Sequence, residues 1–163
     1  MPQRPEVQVS VIIRSEHQVF LIRRKNPPGE ETWSVPGDAL AYNESPQECA
    51  TRKTLEETGM TITDATFLTM TNDVFAEEGR HDVTLWIEGK YVSGEPWLEP
   101  DSEISACGWF PWSVLPIPLA LAFKNFLIQG FPWSKEEWTL DIGREHLEIL
   151  RTDLPRLLEN RPR

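Results

Sequence analysis

Cysteine is scarce: the 163 residues contain two, Cys49 and Cys107. Their separation matches no zinc-ligand spacing and no disulfide framework, so two reduced thiols in a cytoplasmic protein are expected. Basic charge is also in short supply. Against 26 Asp and Glu stand 16 Lys and Arg, a formal net charge of −10. A surface of that sign does not displace counterions from a nucleic acid polymer. It still permits a small phosphorylated ligand, because local arginines reverse the field inside one pocket. Long apolar runs are missing. No segment reaches the roughly 18 to 20 apolar residues of a membrane span, and the opening MPQRPEVQVS lacks the apolar stretch of a signal peptide. Neither repeats nor low-complexity linkers interrupt the chain, so one domain with a sizeable core is expected.

What is present reads as strands mixed with two principal helices. Val7, Val9 and Val11 alternate with Gln8 and Ser10 before Ile12 and Ile13, which predicts a strand. A polar turn, 15–18, leads to a second strand from Val19 that breaks at Asn26-Pro27-Pro28-Gly29. Further strands are predicted over 65–71, 82–87 and 90–93, and Trp109-Phe110-Pro111-Trp112 reads as the start of a turn. Leu119, Phe123, Phe126 and Leu127 recur at helical spacing and predict an amphipathic helix over 118–129. A last helical candidate spans 144–159, with Pro155 placed to kink it. This order suggests a mixed sheet with helices on its faces.

The richest stretch is Gly37 to Met60, GDALAYNESPQECATRKTLEETGM. Ser45, Pro46 and Glu48 have the pattern of a capping box with proline at the first helical position, and Gly59 is a stop. Positions three and four apart share a helix face, so position 53 lies with Glu56 and Glu57. Glu44 precedes the helix and is placed to fold back over its start. Carboxylates gathered this way repel one another unless a cation sits among them, and Mg²⁺ takes such oxygens together with substrate phosphates. A solvated acidic face, with Arg52 and Glu56 paired, is the plainer alternative for a lone Glu-Glu-x-Gly. The tryptophan-bearing loop Trp33 to Gly37 and the separate Glu44 make the whole combination more specific.

This segment closely resembles the signature of the Nudix hydrolases (MutT-like proteins): glycine, five residues, Glu, seven residues, then Arg-Glu-apolar-x-Glu-Glu-x-Gly-apolar. Glu44, the spacer 45–51, Arg52, Glu56, Glu57, Gly59 and Met60 match it. Val19 to Arg24 is similar to the strand before the family's loop. Asn72 to Phe75, His81 to Thr84 and Trp109 to Trp112 resemble segments of its nucleoside-triphosphate-cleaving branch. The resemblance, which spans about residues 7–130, implies an α/β/α sandwich on a mixed sheet; a Nudix domain is expected over 1–131, and the tail beyond it, which matches nothing in the family, is expected to form a C-terminal helical extension over 132–163 packed on the same domain or at a homodimer interface. The resemblance also implies Mg²⁺- or Mn²⁺-dependent hydrolysis of a nucleoside triphosphate or other nucleoside diphosphate derivative. Glu56, Glu57, Glu44 and the Gly37 carbonyl become expected metal ligands, with Arg52 orienting a carboxylate. Arg24 by the resemblance, and Trp33, Phe75 and His81 by their own side chains, are candidate substrate contacts, although aromatics at such spacing more often fill a core and a strand-end histidine is more often simply hydrogen-bonded. Only one of Arg23 and Arg24 faces the cleft if strand alternation holds, and the resemblance favours Arg24 for gripping a phosphate.

Two positions depart from the signature. Its glycine falls at 38, where this chain has Asp38 beside Gly37. Its first helical glutamate falls at 53, where this chain has Lys53, which puts an ammonium on the expected metal face. Three outcomes follow. Catalysis is weakened, which is the leading expectation; or a carboxylate such as Glu103, Glu99 or Glu48 substitutes; or Lys53 touches the substrate phosphate as a point charge. A nucleotide-binding or regulatory module that turns over little is the alternative function. A protein-interaction domain using Trp133 and Trp138 is a third.

Overall fold

A computed structural model describes residues 3–27, 29–99 and 102–129. The strand β1 (Glu6–Ser15) lies at the centre of the sheet, and β6 (Arg80–Ser93) runs parallel to it from Glu6 opposite Asp82 to Arg14 opposite Lys90. β5 (Thr61–Phe75) pairs antiparallel with β6. On its other side β1 meets β2 (Gln18–Arg24) only at their hairpin, Arg14 with Val19 and Ser15 with Gln18. The two strands then diverge. β2 pairs with β7 (Ile104–Pro111) and, near its end, with β3 (Trp33–Ser34). β4 (Gly37–Ala39) fills the gap left on β1, opposite Gln8 to Ser10.

Alternation along β1 sends its side chains to two cores. Val9, Val11 and Ile13 join Cys49, Ala50, Met60, Ile62 and Ile87 beneath α1 (Pro46–Thr58). Ile12 joins Val19, Leu21, Trp86 and Leu119 beneath α2 (Leu121–Gln129), which contributes Phe123, Phe126 and Leu127. This is the expected α/β architecture, a mixed sheet with helices on its two faces. Burial pushes the Cys49 thiol up to about 11, which keeps it an unreactive core group.

One polar network is sealed inside the second core. Asp73 is 0% exposed. It accepts from Thr71 at 2.9 Å, from the Thr84 hydroxyl, and from Asn125 of α2 at 2.8 Å. Thr71 in turn accepts from the Trp86 indole at 2.9 Å. Trp86 stacks on Phe126 with centroids 4.4 Å apart. The carboxylate thus ties β5, β6 and α2 together, and each donor around it is satisfied.

Several boundaries differ from the sequence expectation. α2 starts at Leu121 rather than 118, because the backbone at 118–120 is engaged by β3: Trp33 donates to the Pro118 carbonyl at 2.8 Å and accepts from the Ala120 amide at 2.8 Å. The strands expected at 82–87 and 90–93 are one strand. Gly89 does not turn the chain; it lets Ile62 pack close, where an added Cβ would meet the Ile62 Cδ1 at 2.4 Å. The strand expected at 65–71 runs over Thr61–Phe75, and the short β3 and β4 and the mixed β7 carry too little pattern to be read in advance. The helical candidate at 144–159, Trp133, Trp138 and the 132–163 extension lie outside the described residues.

β4 lies unusually close to β1. A Cβ at Gly37 would sit 2.0 Å from the Val9 carbonyl oxygen, which is backbone and has no rotamer to yield. Gly37→Ala is therefore expected to destabilise the fold by about 1–3 kcal/mol or more, measured by urea unfolding. Asp73→Ala strips the acceptor from three donors and is expected to cost about 2–4 kcal/mol in the same measurement.

Candidate active site

α1 is built as its sequence suggests. Ser45 accepts from the Glu48 amide at 3.1 Å while the Glu48 carboxylate accepts from the Ser45 amide at 2.9 Å. Gly59 closes the helix at φ 74°, and its amide donates to the Leu55 carbonyl at 2.9 Å. Cys49, Ala50, Thr54 and Thr58 form the buried face. The two threonines are tolerated there because their hydroxyls bond back to the Ala50 and Thr54 carbonyls, at 2.7 and 2.5 Å. The outward face then presents Arg52, Lys53, Glu56 and Glu57.

These charges are already matched among themselves. Arg52 grips Glu44 with two bonds, Nε to Oε1 at 2.6 Å and a terminal nitrogen to Oε2 at 3.0 Å. Its other terminal nitrogen donates to both Glu56 oxygens, at 3.3 and 3.2 Å. The Glu44 side chain is only 12% exposed, and Arg52 holds its carboxyl down at about 2. Lys53, 19% exposed, sits between Asp38 at 2.7 Å and Glu56 at 3.2 Å. The two departures from the sequence signature therefore touch each other: the carboxylate gained at 38 neutralises the ammonium gained at 53. Asp38 occupies a β-strand with no left-handed backbone, so aspartate is not strained there.

Glu57 is different. Its Oε2 is buried with no hydrogen-bond partner. Burial, with the nearby Asp38 charge, pushes its carboxyl up to about 7, against the pull of Arg24, Lys53 and the Gly37 amide.

Beside this helix face lies a cleft of about 240 Å³, placed where β1 and β2 diverge. Gln8 and Ser10 of β1, Arg80, Asp82 and Thr84 of β6, Phe75 of β5, and Ala120 and Ala122 line it. Arg24, Asn26, Gly37, Asp38 and Glu103 line it as well, and Asp38 links it to Lys53 of the charged helix face. Arg80 donates to the buried Asp82 at 2.8 Å, so that pair forms a fixed polar wall.

Of the residues expected to contact substrate, Arg24 and Phe75 line the cleft, whereas Arg23 turns aside to Glu31. Trp33 and His81 are not brought there. Trp33 packs edge-on against Phe110, with centroids 5.1 Å apart, in the second core. On β6 the cleft-facing residues are 80, 82 and 84, so alternation turns His81 away, where it bonds Asn72 across to β5. Among the carboxylates weighed as substitutes, Glu48 is consumed by the helix cap and Glu99 is not on the cleft wall, but Glu103 is. Gln8, Ser10 and the Arg80–Asp82 pair were not expected from the sequence. Their signal was polar residues at alternate positions of otherwise apolar strands.

The donors do not fit the divalent cation expected from the sequence. Glu44 is committed to Arg52 and Glu56 to Arg52 and Lys53. Among the described residues no group of three His, Cys, Asp or Glu side chains is arranged to hold a metal ion. Only the partnerless Glu57 oxygen favours one. Two unit charges of like sign about 4 Å apart at an effective dielectric of 20 repel by about 4 kcal/mol, and a divalent ion beside Lys53 doubles that.

The Glu57 environment gives a pH test. Its folded pKa, about 7, exceeds its ordinary value of 4.5. The folded state therefore binds more protons than the unfolded one between those values, and stability falls as pH rises through that window. Glu57→Gln is expected to be the more stable protein at pH 8 by up to about 3 kcal/mol, with the difference shrinking toward pH 4. Urea unfolding across this range in EDTA measures it.

Comparison with known proteins agrees with the geometry. The NUDIX domain family model matches residues 4–133. An ADP-ribose pyrophosphatase of Methanocaldococcus jannaschii is 36% identical over 56 residues, which is 34% of this chain and 33% of that protein. The match thus spans about a third of the length of that curated relative. Among solved structures, the MutT NUDIX hydrolase of Burkholderia pseudomallei superposes with a TM-score of 0.73 at 32% identity, covering 78% of this chain and 99% of that one. The NUDIX domain of Shewanella oneidensis NrtR, solved with ADP ribose, shares the fold at 20% identity, with a TM-score of 0.62 over 95% of this chain and 90% of that chain. With a signature helix, a cleft beside it and a family match over most of its length, the chain belongs to the Nudix family.

Proposed function

We infer that this chain is a pyrophosphohydrolase of a nucleoside diphosphate derivative, with turnover held down by Lys53. The observation that carries the reading is the cleft between β1 and β2, two of whose lining residues, Arg24 and Asp38, act electrostatically on the buried carboxyl of Glu57, which has one partnerless oxygen. Arg24 would bind a phosphate, and Phe75 would pack against the base or sugar. Glu57 would take the proton of the attacking water: with its carboxyl pushed up to about 7, the deprotonated fraction present near neutral pH is a stronger base than an ordinary carboxylate. The water oxygen bonds to phosphorus, the bridging P–O bond breaks, and a nucleoside monophosphate leaves with pyrophosphate or a phosphorylated product. Nudix hydrolases generally use divalent metal ions. Mg²⁺ or Mn²⁺ was expected on Glu44, Glu56, Glu57 and Gly37, but the residues present do not fit it, and no step here depends on it.

Nucleoside triphosphates follow from the sequence resemblance, and ADP-ribose-like compounds from the names of the relatives. Both belong in the substrate panel. The acidic net charge favours such a small molecule over a nucleic acid polymer. No helix among the described residues is long and apolar enough to cross a membrane. A cytoplasmic protein, with the 1–131 domain followed by a 132–163 extension on that domain or at a homodimer contact, completes the reading. The second reading, a nucleotide-binding or regulatory module, is favoured by the tethering of Lys53 between Asp38 and Glu56.

Turnover of both nucleotide classes, followed by product chromatography, separates these readings. The hydrolase reading expects Glu57→Gln to lower kcat/KM by about 100-fold or more. Glu56→Gln, which loosens Arg52 and Lys53, is expected to lower it by about tenfold. Lys53→Glu is expected to raise turnover at least about tenfold when Mg²⁺ is supplied. Nucleotide binding without turnover in the natural protein favours the module. Absence of both binding and turnover overturns the two readings together.

A further inference from the structure

The charged face of α1 holds its own balance. Glu44, Glu56, Glu57 and Asp38 face Arg52, Lys53 and Arg24, and the Glu57 carboxyl, pushed up to about 7 by burial, is only partly ionised near pH 7. Carboxylates gathered on one helix turn ordinarily call for an outside cation. Here the compensating charge is covalently part of the chain. Lys53 is half-buried, its ammonium sits 2.7 Å from Asp38 and 3.2 Å from Glu56, and Asp38 lines the cleft. The hydrogen bond to Asp38 raises the lysine pKa and keeps it charged. An ammonium has three donors, and two directions are taken by these carboxylates. Lys53 does not itself line the cleft; it is joined to it through Asp38, and Arg24 is a cation on the cleft wall.

We propose that the Lys53 ammonium, anchored by Asp38 and Glu56, stands in for a divalent cation at this helix face, so that the cleft binds the phosphates of its ligand without one. The proposal rests on the nucleotide reading above but concerns what balances the helix carboxylates, so that they do not repel phosphates held by Arg24 on the cleft wall. Asp38 and Lys53 act as a unit. Replacing both by the residues of the family signature, Asp38→Gly with Lys53→Glu, removes the internal cation and leaves carboxylates that need an external one.

The test uses the full chain, with each variant checked by circular dichroism and thermal melting. Mn²⁺ alone is titrated by electron paramagnetic resonance. ADP-ribose and nucleoside triphosphates are titrated by calorimetry in excess EDTA and in millimolar Mg²⁺. The natural protein is expected to bind its best nucleotide with constants that agree within about threefold in the two buffers. Lys53→Gln, which keeps the length and loses the charge, is expected to weaken binding in EDTA by about tenfold or more. The Asp38→Gly, Lys53→Glu protein is expected to bind Mn²⁺ at least about tenfold tighter than the natural one. The proposal is overturned if the natural protein loses its nucleotide in EDTA, or if it binds Mn²⁺ as tightly as the double variant. If no nucleotide binds in either buffer, the nucleotide reading fails, and the Mn²⁺ comparison still decides whether Lys53 excludes the metal. If the double variant does not fold, Lys53→Gln decides the proposal through nucleotide binding in EDTA.

Discussion

The close approach of β4 to β1 at Gly37 is the constraint on which the site depends. With the Val9 carbonyl 2.0 Å from where a side chain would begin, the segment can lie there only as glycine. That contact holds Asp38 next along the chain, where it meets Lys53, and brings the Gly37 amide toward Glu57. Because β2 has by then turned away toward β7 and β3, the same stretch forms one lip of the cleft. Sheet geometry and charge chemistry thus meet over a few residues.

Stability and function divide between the faces of the sheet. Apolar residues of β1 fill the core under α1, while its polar Gln8 and Ser10 face the cleft and Ile12 serves the second core. The buried Asp73 network sets β6 against α2, and Thr84, one of its members, also lines the cleft. A polar group that lines a site is thereby held by a group that stabilises the fold.

Much of α1 was legible in advance, because caps, stops and face periodicity are local. Ser45, Pro46, Glu48 and Gly59 act within one helix, and the structure shows each in the geometry its type favours. The meaning of Lys53 was not legible. Read alone, it is a charge on the wrong face; its partner Asp38 lies fifteen positions earlier and meets it only through the pairing of β4 with β1. Trp33 and His81 misled for a related reason: an aromatic or imidazole near a motif carries no record of which way its strand faces.

By itself the sequence determined the helix, its charged face, its family and the α/β character, since these follow from spacing and composition that need no distant partner. Only the tertiary structure decided where the cleft opens, which polar residues line it and how the helix charges are matched. Those depend on two strands parting after a shared hairpin and on side chains far apart in the chain coming within hydrogen-bond distance, which no local pattern encodes.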